Sequence, residues 1–91
     1  FNIEAIKIDV LNFLKLTDKK FDVIFADPPY NIKDEKYYEI INIIFKNKIL
    51  KNDGFLIIEH STKTQINQHD FFFENRKYGD SNFSFYKYIN N

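Results

Sequence analysis

The chain has 91 residues, 44% of them hydrophobic and 19% aromatic, which is enough for one small domain with a packed core. Thirteen basic and thirteen acidic residues cancel, whereas a protein that binds nucleic acid by itself is more often basic. Without cysteine, disulfides and thiolate metal sites are excluded, and no apolar run approaches the roughly 18 residues that span a membrane. The sequence has no signal-peptide pattern and no methionine, so we expect a segment of a longer protein.

The first part of the chain alternates predicted strands and helices. Residues 4–9 alternate between apolar and polar side chains, as a strand does, and residues 10–16 have the apolar spacing of a short helix. Residues 21–26 are nearly all apolar, which is typical of a strand inside a parallel sheet. Pro28 and Pro29 end this strand, because proline cannot donate a hydrogen bond to a neighbouring strand.

A longer helix is predicted next. Asp34 is predicted to cap its N-terminus, and five apolar residues then share one helical face: Tyr37, Ile40, Ile41, Ile44 and Phe45. Residues 52–54, Asn-Asp-Gly, predict a turn before a buried strand at residues 55–59.

Two strands are predicted at the end, at residues 71–78 and 82–88, joined as a hairpin by residues 79–81. The order of strand, helix, strand, helix, strand and hairpin predicts one α/β domain over residues 1–91. We expect a parallel sheet that ends in the antiparallel hairpin.

The tetrad Asp27-Pro28-Pro29-Tyr30 directly follows the second predicted strand, and it resembles the catalytic motif of amino-methyltransferases. The exocyclic amino group of a base is a poor nucleophile, because its lone pair is delocalised into the ring. An acceptor on each N–H can reorient that lone pair, and the Asp27 carboxylate and the Pro28 carbonyl would be the two acceptors. Pro29 would fix the loop, and Tyr30 would stack on the base. The alternative is a turn that only ends the strand.

Three segments together resemble the RsmD-type methyltransferases: the strand and tetrad at residues 21–30, the strand end Glu59-His60-Ser61, and the tail at residues 76–86. The resemblance implies a partial Rossmann-like class I methyltransferase fold, comprising strands three to seven with a C-terminal antiparallel hairpin. The chain would be the C-terminal part of a cytoplasmic enzyme. That enzyme would transfer a methyl group from S-adenosylmethionine to the exocyclic N2 of a guanine in 16S ribosomal RNA within an assembling small subunit, without a metal.

For the cofactor, the resemblance places Asp9 beside the adenine amino group and Val10 against the adenine ring. Asp9 could equally cap the helix that follows it. The family's glycine-rich cofactor loop is missing, since the chain has only Gly54 and Gly79. We therefore expect the sequence to begin just before the family's third strand. The first strand would then have no adjacent partner, and the strand at residues 21–26 would have an open edge.

Two alternatives remain open from the sequence. A DNA adenine-N6 or cytosine-N4 methyltransferase shares the tetrad, and a non-catalytic module could keep the fold without the cofactor loop. Glu59 and His60 are expected to orient the loop at the carboxyl edge of the sheet, since no third ligand with suitable spacing supports a metal site. Arg76 and Lys77 could contact RNA phosphates, or they could be a solvated strand end.

Overall fold

The fold is a five-stranded mixed sheet with one described helix on one of its faces. The computed structural model describes residues 20–27 and 32–89 and the backbone of residues 3–6. The elements in chain order are β1 (Ile3–Ile6), β2 (Phe21–Ala26), α1 (Asp34–Lys46), β3 (Leu50–Ser61), β4 (Phe72–Tyr78) and β5 (Ser81–Tyr86). The spatial order is β1-β2-β3-β5-β4. The first three strands are parallel to one another, and β5 runs antiparallel to both of its neighbours, β3 and β4. The predicted α/β sheet with a terminal hairpin is therefore confirmed, while the predicted helix at residues 10–16 lies outside the described residues.

The first strand has a partner, contrary to the expectation from the sequence. β1 lies parallel to β2, with Ile3 opposite Val23 and Ile6 opposite Ala26. The expectation of an unpaired first strand and an open edge on β2 was wrong. The physical reason is that unpaired backbone groups along β2 need hydrogen-bond partners, and β1 supplies them directly.

The core lies between α1 and the face of the sheet that it covers. All five apolar residues predicted for one face of the helix are buried, from Tyr37 to Phe45. They meet Ile24, Leu56 and Ile58, whose side chains are also fully buried. The predicted N-cap, Asp34, was wrong by one residue. The N-cap is Lys33, whose side chain makes no capping hydrogen bond. Asp34 is instead the first helical residue, where its carboxylate still faces the positive end of the helix dipole.

The predicted turn at residues 52–54 lies inside β3, so that prediction was wrong. The register explains why a turn-like sequence is tolerated there. Phe21 pairs with Leu50 while Val23 pairs with Phe55, so β3 bulges outward between these two pairs. Gly54 is required at the bulge, because a Cβ there would lie 2.5 Å from the backbone oxygen of Asp22.

The opposite face of the sheet is rich in half-buried aromatic rings. Phe25 lies 6.3 Å from Phe83, and Phe55 lies 5.8 Å from Phe73, measured between ring centroids. The Lys87 ammonium sits over the Phe55 and Phe73 rings at 5.4 and 5.0 Å. Among the described residues, no helix has the length and apolar character needed to cross a bilayer.

Candidate active site

Asp27 follows β2 directly and is exposed at the carboxyl edge of the parallel strands. Ala26 pairs with Ile58 in β3, so the residues that follow them, Asp27 and Glu59, reach the same edge. Open α/β sheets bind ligands at this edge. The other predicted site residues, Pro28, Pro29 and Tyr30 of the tetrad and Asp9 and Val10 for the cofactor, lie outside the described residues.

His60 is the buried polar residue of this edge. Its Nδ1 lies 2.9 Å from the Ser61 carbonyl oxygen, which can only accept, so Nδ1 carries the proton. Its Nε2 therefore accepts a 2.7 Å hydrogen bond from the Ser84 hydroxyl. That hydroxyl oxygen in turn accepts from the Asn75 side-chain amide at 3.1 Å. The result is a directed chain of hydrogen bonds that joins β4 and β5 to β3.

Burial sets the charge of His60. Desolvation lowers the pKa of the imidazole, and the hydrogen bond to Ser61 and the charge of Asp34 oppose this only in part. The ring packs edge-on against Tyr37, with 6.3 Å between centroids. His60 is therefore neutral at pH 7, and it links the first turns of α1 to the end of β3.

His69 is held in the neutral form in a similar way. Its Nδ1 accepts a hydrogen bond from the Phe71 backbone N–H at 3.1 Å, and its Nε2–H donates to Asn42 of α1 at 2.8 Å. Burial lowers the pKa of His69, and the nearby Asp70 carboxylate acts in the opposite direction. A second proton on this ring would be at Nδ1, where it would face the Phe71 N–H and break that hydrogen bond.

We expect the free energy of unfolding to fall as the pH is lowered from 7 to 5. Both folded-state pKa values lie below the ordinary 6.5, so the unfolded chain binds protons first. The stabilisation is complete above pH 6.5 and is lost as the pH falls through the folded-state values. Urea denaturation at several pH values measures the effect.

The double variant His60→Gln/His69→Gln is the control, because glutamine is polar but does not titrate. Its stability should change less between pH 7 and pH 5 than that of the unmodified protein. Carboxylates titrate mostly below this window. A pH dependence that is the same in both proteins would contradict the assignment of neutral histidines.

A polar cavity of about 310 Å³ opens beside His60. It lies between the loop after β3 and the paired strands β4 and β5. Its lining includes His60, Thr64, Asn67, Asn75, Asn82 and Ser84. Phe72 and Ile66 add apolar surface to this otherwise polar lining.

Glu59 and His60 were predicted to orient the loop at the carboxyl edge. In the structure both side chains instead form hydrogen bonds to residues of β5. The Glu59 carboxylate accepts a 3.4 Å hydrogen bond from the Ser81 hydroxyl. Sequence reasoning missed Ser84 and Asn75 as members of this cluster. The available signal was Ser84 itself, a buried polar residue between Phe83 and Phe85 in an aromatic strand.

The basic residues of the hairpin are exposed. The Arg76 guanidinium pairs with Glu74 at 3.2 Å and lies 5.5 Å from the centre of the Phe85 ring. Lys77 is exposed on the same strand. Within the part of the chain that the structure describes, no three His, Asp or Glu side chains form a metal-binding group.

Neither glycine of the chain lies in a loop that follows one of the three parallel strands. Gly54 lies in the β3 bulge and Gly79 in the hairpin turn, so neither belongs to a loop that could wrap around a ligand at the carboxyl edge. The residues predicted to contact the adenine lie outside the described ranges.

A family model and two curated relatives identify the family of this chain. A family model described as conserved hypothetical protein 95 matches residues 2–87. Ribosomal RNA small subunit methyltransferase D of Buchnera aphidicola subsp. Acyrthosiphon pisum is 37% identical over 67 residues, covering 72% of this chain and 34% of the relative. The protein of the same name from Buchnera aphidicola subsp. Baizongia pistaciae is 34% identical over 58 residues, covering 64% of this chain and 29% of the relative.

A solved structure shows the same fold. A Haemophilus influenzae protein described as a methylase superimposes with a TM-score of 0.64 at 22% identity, over 84% of this chain and 48% of that protein. The chain spans about a third of the length of the curated relatives that it matches. Since the family model covers nearly all of its residues, the chain belongs to the family described as conserved hypothetical protein 95, the RsmD-type family that its tetrad and strand end resemble.

Proposed function

We propose that the complete protein transfers a methyl group from S-adenosylmethionine to the exocyclic N2 of a guanine in small-subunit ribosomal RNA. One observation carries the proposal: Asp27 is exposed at the carboxyl edge of a parallel strand, in a chain of the RsmD-type family. Relatives named ribosomal RNA small subunit methyltransferase D support the choice of RNA over DNA.

The proposed role of Asp27 is to accept a hydrogen bond from the guanine amino group. Its position immediately after β2 fixes its backbone at the end of a strand that is paired on both sides, with β1 and β3. An acceptor held in place in advance costs no reorganisation when the amino group becomes a nucleophile. Pro28 would supply the second acceptor through its carbonyl, and Pro29 would restrict the loop.

The cofactor supplies the methyl group when it is bound. We propose that Asp9 and Val10, which follow β1 in the sequence, contribute to its adenine site. In the proposed correspondence, β1, β2 and β3 are the third, fourth and fifth strands of the class I sheet, and the hairpin provides the last two. The first two strands of the complete protein would then lie between β1 and β2, which pair directly in this chain.

The direct test is a methyl-transfer assay with the complete protein, labelled S-adenosylmethionine and small-subunit ribosomal RNA. Nucleoside analysis of the product should give N2-methylguanosine. Duplex DNA, which presents both adenine and cytosine, serves as the comparison substrate and should remain unlabelled. Label in N6-methyladenine or N4-methylcytosine of the DNA would favour the rival enzyme, and no label in either substrate would contradict the proposal.

We expect Tyr30→Ala to weaken the use of RNA, because the proposed stacking on the target base requires an aromatic ring. The loss should be about 1–3 kcal/mol, the usual worth of a base stacked on an aromatic side chain. Tyr30→Phe keeps the ring and should behave like the unmodified enzyme. The measurements are kcat/KM for RNA and the melting temperature of each variant. A Tyr30→Ala protein with normal kcat/KM and a lower melting temperature would assign Tyr30 to structure alone.

A further inference from the structure

The polar cavity beside His60 suits an uncharged ligand. Among the described residues that line it, none is Lys, Arg, Asp or Glu. A phosphate would call for cationic partners and a metal ion for carboxylates. The lining instead offers amides, hydroxyls and a neutral imidazole, which match the donors and acceptors on the edge of a nucleobase. Phe72 adds an aromatic ring of the kind on which unpaired bases stack.

Some of these polar groups are available to a ligand. The Ser84 hydroxyl is engaged with both Asn75 and His60. In contrast, the side-chain amides of exposed Asn67 and half-buried Asn82 make no hydrogen bond to another residue within 20–27 and 32–89. Asn82 is half-buried, so its amide is partly shielded from competing water. The cavity therefore combines the hydrogen-bonded network of His60, Ser84 and Asn75 with two amides that are free to meet a ligand.

The loop that walls the cavity is fastened at three points. The Gln68 backbone N–H donates to the Tyr38 hydroxyl at 3.2 Å, and His69 donates to Asn42 at 2.8 Å, which ties the loop to α1. The Tyr86 hydroxyl donates to the Ile66 carbonyl, which ties it to β5. Ile66 itself is 1% exposed, so the loop is also anchored by burial. The cavity is thus formed before any ligand arrives.

The cavity lies at the same carboxyl edge of the sheet as the proposed reaction centre. β3, which carries His60, is the immediate neighbour of β2, which leads into Asp27. Neighbouring strands lie about 4.8 Å apart, so the cavity over β3 and β5 begins roughly 5–10 Å from the end of β2. The Tyr37 ring, 6.3 Å from the His60 ring between centroids, connects the cavity to the helix that follows the tetrad. β1, which precedes the proposed cofactor residues, is on the other side of β2.

We propose that this cavity, lined by His60, Phe72, Asn75, Asn82 and Ser84, binds an unpaired RNA base next to the nucleotide that is methylated. The inference rests on the proposed function, since it names a second subsite for the same RNA. The methyl donor would approach Asp27 from the β1 side and the RNA strand from the side of the hairpin. The cavity would thereby help to select the target by reading a neighbouring base.

The test is Asn82→Leu in the complete protein, with Asn52→Leu as the matched control. Asn52 is exposed on the β3 bulge, at the opposite edge of the sheet. Asn82→Leu should raise KM for small-subunit ribosomal RNA about 5- to 150-fold, the usual range for losing hydrogen bonds that read a base. The value of kcat at saturating RNA and the affinity for S-adenosylmethionine should stay unchanged. Asn82→Ala removes the amide without adding charge or bulk, and it decides the question if the leucine variant does not fold.

A binding measurement separates this inference from the proposed function. In the unmodified protein, the NMR signals of the Asn82 and Asn67 side-chain amides should shift when a short single-stranded oligoribonucleotide is added, whether or not methyl transfer occurs. If the active enzyme shows no such shift, and Asn82→Leu has a normal KM, the cavity is not an RNA subsite. If the unmodified enzyme does not methylate ribosomal RNA, it is the proposed function that fails.

Discussion

Replacement of Asp27 by Ala is expected to slow methyl transfer by the complete protein about a hundred- to a thousandfold, equivalent to about 2.7–4 kcal/mol. The Asp27 carboxylate is the proposed acceptor for the guanine amino group, and its exposed position at the end of β2 leaves it free to meet a substrate. An interaction that serves the transition state lowers kcat when it is lost and leaves ground-state binding almost unchanged. Single-turnover rates and the affinity for S-adenosylmethionine measure the two effects separately.

Asp27→Asn adds information, because it keeps one acceptor oxygen and loses the charge. We expect it to be slow as well. Asp53→Ala is the matched control: Asp53 is an exposed aspartate on the β3 bulge, at the opposite end of the parallel strands. Near-normal single-turnover methylation by Asp27→Ala would remove Asp27 from the reaction.

A second large effect is expected at Gly54. A Cβ at this position would lie 2.5 Å from the Asp22 backbone oxygen and 2.9 Å from the Leu50 side chain, so β2 and β3 must shift to admit it. Overpacking of this kind costs about 1–3 kcal/mol, and a backbone oxygen cannot rotate away. Gly54→Ala should therefore lower the free energy of unfolding by an amount in this range or above it, as measured by urea denaturation.

Gly79 differs from Gly54, because a side chain at Gly79 is disfavoured by the backbone conformation and not by a clash with neighbouring atoms. It has space, with no atom within 4 Å of an added Cβ, but its φ is +60° in the hairpin turn. Gly79→Ala should cost about 1–2 kcal/mol of folding free energy through the left-handed backbone, and Gly79→Asn should cost less.

If Gly54→Ala were as stable as the unmodified protein, the register between β2 and β3 would be incorrect.

The sequence predicted those features that depend on local patterns. The apolar face of α1 was correct for all five residues, because helical periodicity is visible within a single segment. The hairpin was located to within about two residues at each strand end, because Gly79 marks the turn. The family resemblance was confirmed, because the tetrad and the strand end are contiguous motifs.

The features that failed depend on parts of the chain that are distant in sequence. The bulge around Gly54 is set by how β3 pairs with Phe21 and Val23, whereas the Asn-Asp-Gly sequence alone indicates a turn. The partner of β1 depends on which strand reaches β2 in space. The hydrogen bonds between His60, Ser84 and Asn75 join three strands, and no spacing within one segment reveals them.

The fastening of the loop at residues 62–70 bears on how quickly a ligand can come and go. A site whose walls are already fixed by Tyr38, Asn42 and Tyr86 requires no slow rearrangement before binding. Association is then limited by diffusion and orientation, which differ little among similar ligands. Discrimination between a correct and an incorrect base at this cavity would consequently appear in residence time, with the incorrect RNA leaving before methyl transfer can occur.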